Sequence, residues 1–303
     1  MREDLPRVLV VGGGELGSAV AHRLARSGVT VAVADLEHPR CIRTAVCFAT
    51  ALRLGTAEVE GVTAVRAGSR PRGPDFLDEA SRIAGEGKLP LFALNGGDLG
   101  WSGLAASLKA EVVVDARMLK RNHGRMKDIV RLTIGLGPGF SAGEDVDVVV
   151  ETNRGPDLGR VIYEGSAEPD TGVPAAVAGY SEQRVIRAPL AGVFTARRKV
   201  GEMVAAGAVV GAIGPAGPDG GTGQGPNADA SAGPDVLAEV TSPISGLLRG
   251  LVMDGTAVSE KQKIGDVDPR GKGVDFLKIS DKGRAVAGGV LEAVMHWWTE
   301  SHV

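Results

Sequence analysis

The chain holds 303 residues, 43% of them hydrophobic and 23% charged, a balance that excludes an intrinsically disordered protein and is long enough for two globular domains. A formal net charge of −3 argues against a nucleic-acid partner, whose binders carry a net basic face. Two cysteines, Cys41 and Cys47, cannot build a disulfide framework and lack the paired spacing of a structural zinc site; with no apolar run of about 18 residues and no basic, apolar leader, a cytoplasmic protein that does not enter a membrane is expected.

Arg7 to Val11 is a short β-rich run, and the stretch ELGSAVAHRLARSG behind it repeats apolar residues at helical spacing up to Gly28, where a helix C-terminal glycine belongs. VTVAVADL then reads as a buried strand, so residues 7–36 predict a βαβ unit. Gly12, Gly13, Gly14 and Gly17 supply a GxGxxG turn between strand and helix. Gly12 permits the tight turn, Gly14 lets a pyrophosphate approach backbone N–H groups, and Gly17 allows close helix-to-strand packing. Asp35, 23 residues after Gly12, stands where a carboxylate accepts hydrogen bonds from a ribose 2′-OH and repels a 2′-phosphate, which favours NAD over NADP. The competing reading is a domain whose glycines serve only the turn. In LEHPRCIRTAVCFATAL, Cys41 lies between Arg40 and Arg43 but has no histidine or second thiol in a defined arrangement, and reads as a small buried hydrophobe. Arg43 is a candidate anion ligand at the rim of a cofactor site, or else a solvated surface residue.

Strands at 89–94 and 111–117, preceded by helical patterns at 75–86 and 98–109, complete an alternation that predicts an α/β fold with a Rossmann-like domain over residues 1–117. Asp115 falls at a strand end, where open α/β sheets bind ligands, and Lys120, Arg121, Asn122 and His123 follow it. Asp115 and Lys120 are the acid/base candidates. No HExxH, GxSxG or kinase set is present, and the dispersed histidines, His22, His38, His123, His296 and His302, leave the catalytic identity open. Residues 118–183 predict a mostly β segment, either an elaboration of the first domain or a linker module. Within it GLGPGFSAGEDV offers unobstructed backbone N–H groups for phosphate or pterin contacts but lacks the GKS/T of a P-loop. Glu164, Glu168 and Asp170 form either a metal or acid/base set or a polar turn; no metal ligand is assigned.

Residues 184–268 contain an internal repeat. Pro189, Gly192, Gly201, Val204 and Gly211 recur 54 positions later as Pro243, Gly246, Gly255, Val258 and Gly265. Neither copy is long enough to bury a face alone. The P-x-x-G-x8-G-x-x-V pattern resembles the half-motif of the biotinyl/lipoyl carrier fold, which implies two halves interlocked as a barrel-sandwich hybrid. Carriers of that family attach their cofactor to a lysine on the hairpin between the halves; residues 214–235 contain none, so no biotin or lipoate attachment is expected, and this Gly/Pro-rich stretch reads as a flexible insertion. Residues 269–303 form a C-terminal segment in which VMHWWTESHV reads as a capping helix end.

Taken together, GGGELGSAVAHRL, VDARMLKRN, IGLGPGFSAGEDV, VVETNRGPDLGRVIYEGSAEPDTGVP, APLAGVF and SPISGLLRGLVMDGTAVSEKQKIGDVDPRG resemble the selenium-dependent molybdenum hydroxylase system proteins of the YqeB type, over nearly the whole chain. The resemblance implies an accessory or maturation factor for a molybdenum-containing hydroxylase. Its Rossmann part would hold NAD(P) or the molybdenum cofactor, and its partners would be the hydroxylase or its maturation machinery, with a homo-oligomer left open. An NAD-dependent oxidoreductase or cofactor-modifying enzyme, and a non-catalytic scaffold, are the alternatives.

Overall fold

The computed structural model describes residues 5–68, 75–94, 100–121, 124–172, 176–216 and 236–301. Their described parts fall into two compact units, the first drawn from 1–39, 46–171 and 277–303 and the second from 40–45 and 172–276.

In the first unit the strands are β1 (Arg7–Val11), β2 (Thr30–Leu36), β3 (Thr56–Val59), β4 (Val62–Arg66), β5 (Leu89–Leu94), β6 (Val112–Asp115), β7 (Leu132–Leu136), β8 (Ser141–Ala142), β9 (Val148–Val150), β10 (Val161–Ile162) and β11 (Gly165–Ser166). Nine of them form one sheet in the order β10-β9-β7-β6-β1-β2-β5-β4-β3, while β8 and β11 pair as a separate ribbon. Every pairing from β4 across to β9 is parallel; β3 and β10 close the two edges antiparallel. The helices are α1 (Glu15–Arg26), α2 (Ala51–Leu54), α3 (Asp75–Gly85), α4 (Gly100–Ser107) and α5 (Asp281–Glu300).

Side chains that alternate along each strand divide the core between two faces. Val8, Val10, Val33, Val112, Val114 and Ile134 face one side, against α1 and α5. Leu9, Val11, Phe92, Val113 and Val149 face the other, with Ile83 of α3 and Leu104 of α4. Full burial of such a side chain stabilises the fold by about 1.5–3 kcal/mol. Helix α5 is started by Ser280, whose hydroxyl accepts from the Gly283 N–H at 3.1 Å. It lies along α1, where Gly283 brings the two backbones close: a Cβ there would stand 3.1 Å from that of Ala19.

This architecture corrects the expected one. The predicted Rossmann-like domain ending near residue 117 does not form as a separate block, because β7, β9 and β10 of the supposed middle segment extend the same sheet by pairing beside β6. A β3–β4 hairpin is inserted in the chain between β2 and β5 and forms the edge of the sheet outside β5, and α3, the helix entering β5, packs on the face opposite α1. The place beside α1 is taken instead by α5, from the far end of the chain. The result is a mixed α/β sheet with a helix order of its own.

The second unit contains β12 (Val185–Arg187), β13 (Gly192–Ala196), β14 (Met203–Val204), β15 (Val209–Gly214), β16 (Ala238–Thr241), β17 (Gly246–Leu251), β18 (Thr256–Val258) and β19 (Lys263–Asp268). They pair antiparallel throughout, in two sheets ordered β12-β19-β17-β14 and β16-β15-β13-β18. The internal repeat maps onto them strand for strand. Each copy lends its middle strand to the other's sheet: β14 pairs with β17, and β18 with β13. Phe194, Ile213, Leu248 and Val267 fill the core between these strands. Gly192 and its counterpart Gly246 are packing positions, since a Cβ at Gly192 would overlap the Gly214 carbonyl oxygen and one at Gly246 the Asp268 carbonyl oxygen. The biotinyl/lipoyl-like barrel expectation is thereby corrected to two separate four-stranded sheets. Most of the predicted insertion, residues 217–235, lies outside the described residues, as do Asn122, His123 and His302.

Candidate functional site

The carboxyl ends of the parallel strands are where an open α/β sheet presents loops and helix N-termini to a ligand. Strand β1 passes there into α1 through Gly12, Gly13 and Gly14. Gly12 has φ +104°, and a Cβ on it would stand 2.8 Å from the Ala116 backbone; one on Gly17 would overlap the Gly12 carbonyl oxygen. The turn is braced on one side. The Gly13 carbonyl accepts from Ser18 Oγ at 2.8 Å and from the Ala49 N–H at 3.0 Å, and Ser18 Oγ accepts from the Phe48 N–H at 2.7 Å. Gly14 differs: it starts α1 with extended backbone (φ −70°, ψ −168°), no side chain caps the helix there, and the space around its Cβ position is open to 4 Å. The first turn of α1 therefore presents uncapped N–H groups and the positive end of the helix dipole.

Asp35, at the end of β2, turns back on this loop. Its Oδ2 accepts from the Gly13 N–H at 2.7 Å and its Oδ1 from the Leu36 N–H at 2.7 Å. Burial pushes its pKa up, and the two N–H groups hold it partly down. Asp115, at the end of β6, has a side chain only 2% exposed and is clasped by Arg117: Oδ1 accepts from the Arg117 backbone N–H at 3.0 Å, and the guanidinium approaches Oδ2 to 2.5 Å. Lys120 pairs with Asp170 at 2.9 Å. The structure thus keeps Asp115 and Lys120 in two different ion pairs instead of joining them in one acid/base couple. Arg43 belongs to the second unit, where it is buried and donates to the Phe276 carbonyl at 3.3 Å. Glu168 accepts from Asn153 Nδ2, and among the described residues no grouping of three or more His, Cys, Asp or Glu is placed to hold a metal ion.

Three residues that motif reading overlooked complete the site. Glu151 follows β9 and is buried; its carboxylate accepts the N–H groups of Thr152 and Asn153 at 2.6 Å each and of Glu168 at 2.7 Å, which fixes the loop that follows. That loop carries Arg154, bidentate to Asp281 at 2.6 and 3.0 Å in the first turn of α5. Next to Asp281 is Lys282, half-buried, which makes no hydrogen bond or ion pair among the described residues. Burial depresses its pKa; Arg154 and Lys120 depress it further, against the opposing pull of Glu15 and Glu151. Glu15 is the first residue of α1, so the N-terminal turns of α1 and α5 are electrostatic neighbours. The sequence signal was present in SDKG, where a Ser cap is followed by a lysine in a helix first turn, against the dipole. A concavity of about 340 Å³ at the opposite edge of the sheet has mostly apolar walls including Leu5, Val8, Val31, Leu77 and Leu108 and gathers no comparable set of charges.

No family model matches the chain. The uncharacterized protein YqeB of Escherichia coli (strain K12) is 41% identical over 288 residues, which is 95% of this chain and 47% of that protein; the chain spans about half the length of the curated relative it matches. Among solved structures, an aspartoacylase family protein from Mesorhizobium loti MAFF303099 is 12% identical, covering 87% of this chain and 85% of the other, with a TM-score of 0.26. The ectoine utilization protein EutE (DoeB) from Ruegeria pomeroyi in a product-bound state is 14% identical over 86% and 85% of the two chains, with a TM-score of 0.24. A succinylglutamate desuccinylase/aspartoacylase from Rhodobacter sphaeroides is 16% identical over 87% and 85%, also with a TM-score of 0.24. Scores this low transfer neither fold nor chemistry.

The expected molybdenum hydroxylase accessory function, its NAD(P)-binding Rossmann domain, and the oxidoreductase and scaffold alternatives are not upheld. The similar curated protein has no characterised role, and the mixed sheet lacks the helix order of a Rossmann domain. Gly12, Gly13, Gly17 and Asp35 make close contacts within the turn, and Arg117 pairs with the proposed acid/base Asp115. No helix among the described residues is long and apolar enough to cross a membrane.

Proposed function

We propose that the first unit binds a small anionic ligand, one bearing a phosphate or a carboxylate, at the carboxyl edge of its sheet between the first turns of α1 and α5. The observation that carries this reading is Lys282. A half-buried ammonium without a hydrogen-bonding or ion-pair partner among the described residues, beside Arg154 and Lys120, is unfavourable, and an anion would offset that cost. The uncapped N–H groups behind Gly14 supply directional donors on the same edge. Asp35 holds the turn in shape instead of contacting the ligand.

Titration calorimetry at low ionic strength with pyrophosphate, AMP and NAD tests the proposal. A charge-assisted contact of about 1.5–3 kcal/mol predicts that Lys282→Met weakens the tightest of these by roughly tenfold to a hundredfold. The affinity should also fall as salt rises. Absence of binding by all three probes, or a Lys282→Met variant with undiminished affinity, would refute it.

A further inference from the structure

The cavity at the amino ends of the parallel strands lies wholly within the first unit, between the beginnings of β1 and β2 and the helix α3. Phe76 and Ile83 hold α3 on its face of the sheet, the ring of Phe76 with its centroid 5.5 Å from that of Phe92. The neighbouring stripe of the helix is Leu77, Ala80, Ser81 and Ala84, at i, i+3, i+4 and i+7, and all four line the cavity. Three of them are small, as are Ala32 and Ala110 in the other walls. A protein interior leaves few voids larger than a water molecule, yet here small side chains keep about 340 Å³ open.

The polar groups in these walls are few and uncommitted. Arg7 is exposed at the mouth; its Nε donates to the Lys109 carbonyl at 2.9 Å, which fixes the guanidinium, while its two terminal nitrogens make no hydrogen bond or ion pair among the described residues. Glu111, the carboxylate beside it, accepts from the Arg7 backbone N–H at 3.3 Å and pairs with Arg131 at 3.7 Å. The hydroxyls of Thr30 and Ser81 likewise have no partner among the described residues. Apolar walls with a small number of polar groups to fix orientation are the make-up of a small-molecule pocket. We infer that this cavity binds a monocarboxylic acid with a medium-length apolar chain, the chain lying beside α3 and the carboxylate on the terminal nitrogens of Arg7. At about 30 Å³ for each heavy atom, the share a water has in the liquid, the space holds roughly eleven of them. The site is independent of the one beside Lys282.

Titration calorimetry of the full chain with hexanoate, octanoate, decanoate and dodecanoate, each below its micelle-forming concentration, tests the assignment, with decanol as the uncharged counterpart. Affinity should rise about fourfold with each methylene and level off between decanoate and dodecanoate, where the cavity is full. Arg7→Gln should weaken decanoate about threefold to fivefold and leave decanol unchanged. Ala84→Phe fills the space and should abolish binding of both while melting no lower than the parent; if it fails to fold, the chain-length series and Arg7→Gln still decide. Pyrophosphate should not displace the acid. Absence of binding, affinity that climbs with chain length without levelling, displacement by pyrophosphate, or full binding by a folded Ala84→Phe protein overturns the cavity as the site. A response of decanoate and decanol to Arg7→Gln in equal measure, or of neither, overturns the carboxylate as the group recognised.

Discussion

Replacing Gly14 by aspartate separates the stability of the glycine turn from its use. The residue has the extended conformation of a helix N-cap, and a Cβ there meets nothing within 4 Å, so the new side chain is accommodated without strain. Aspartate caps a helix better than glycine by a few tenths of a kcal/mol, and a carboxylate beside the first turn contributes about 0.3–1 kcal/mol more. A gain of about 0.5–1 kcal/mol, at about 2–4 °C per kcal/mol for a unit of this size, raises the melting temperature by roughly 1–4 °C. The ligand experiences the opposite effect. Two unit charges about 5 Å apart at an effective dielectric constant of about 20 repel by roughly 3 kcal/mol, close to a hundredfold in Kd. Salt screening leaves at least about tenfold. Scanning calorimetry and pyrophosphate titration on the same preparation read both effects. If Gly14→Asp melts lower than the parent, the open N-cap is misread; if it melts higher and binds pyrophosphate as well as before, the anion does not sit at α1.

Lys282→Met should raise stability at pH 7 by up to about 1 kcal/mol once solvent screening is allowed for. Its folded pKa lies below the ordinary 10.5, so the contribution of this group is full above that value and lost as pH falls through the folded one; denaturant melts should show the advantage of the variant shrinking as pH rises toward 10.5. Glu60 behaves with the opposite sense. Burial raises its pKa, but the Ile279 N–H at 2.8 Å and Arg284 at 2.7 and 2.8 Å outweigh it and hold the carboxyl below its ordinary 4.5. Glu60→Gln should cost about 1–2 kcal/mol at neutral pH. The stabilisation is present above 4.5 and lost as pH falls through the native value, so acid melts of the two proteins should converge. In the second unit, Gly192→Ala and Gly246→Ala each push a methyl group into a carbonyl oxygen and should destabilise by about 1–3 kcal/mol or more; equal losses in urea melts are expected from their equivalence, and an unaffected Gly246→Ala would contradict it.

Local order was readable where the chemistry is local. Residues 7–36 carry an unbroken apolar run along Val8 to Val11 and the 3.6 period along Val20 and Leu24, and the structure places β1, α1 and β2 there. The 54-residue repeat announced the strands of the second unit because its glycines meet matching demands: close neighbours at Gly192 and Gly246 and at Gly211 and Gly265, and positive φ at Gly201 and Gly255. Pairing over long distances was not readable. Nothing in IGL at 134–136 states that β7 lies beside β6, and nothing in α5 states that it packs on α1, since both depend on surfaces remote in sequence. The β3–β4 hairpin was passed over although Glu60 and Gly61, both at positive φ, mark its turn. The site divides in the same way. Motifs led to Gly14 and Asp35, whereas Glu151, Arg154 and Lys282 acquire their roles only when the end of β9 meets the start of α5.

The exchange of middle strands in the second unit makes it an intramolecular dimer of its own repeat. A single copy severed from the chain would present a bare sheet edge, that of β13 in the first copy or β17 in the second, and would be aggregation-prone until a second copy supplied the missing strand. Two identical copies could do so by reciprocal exchange, which is the arrangement a gene duplication would have inherited and then joined covalently. Such a unit tolerates a break between its halves far better than the loss of either one, and co-expressed halves should find each other.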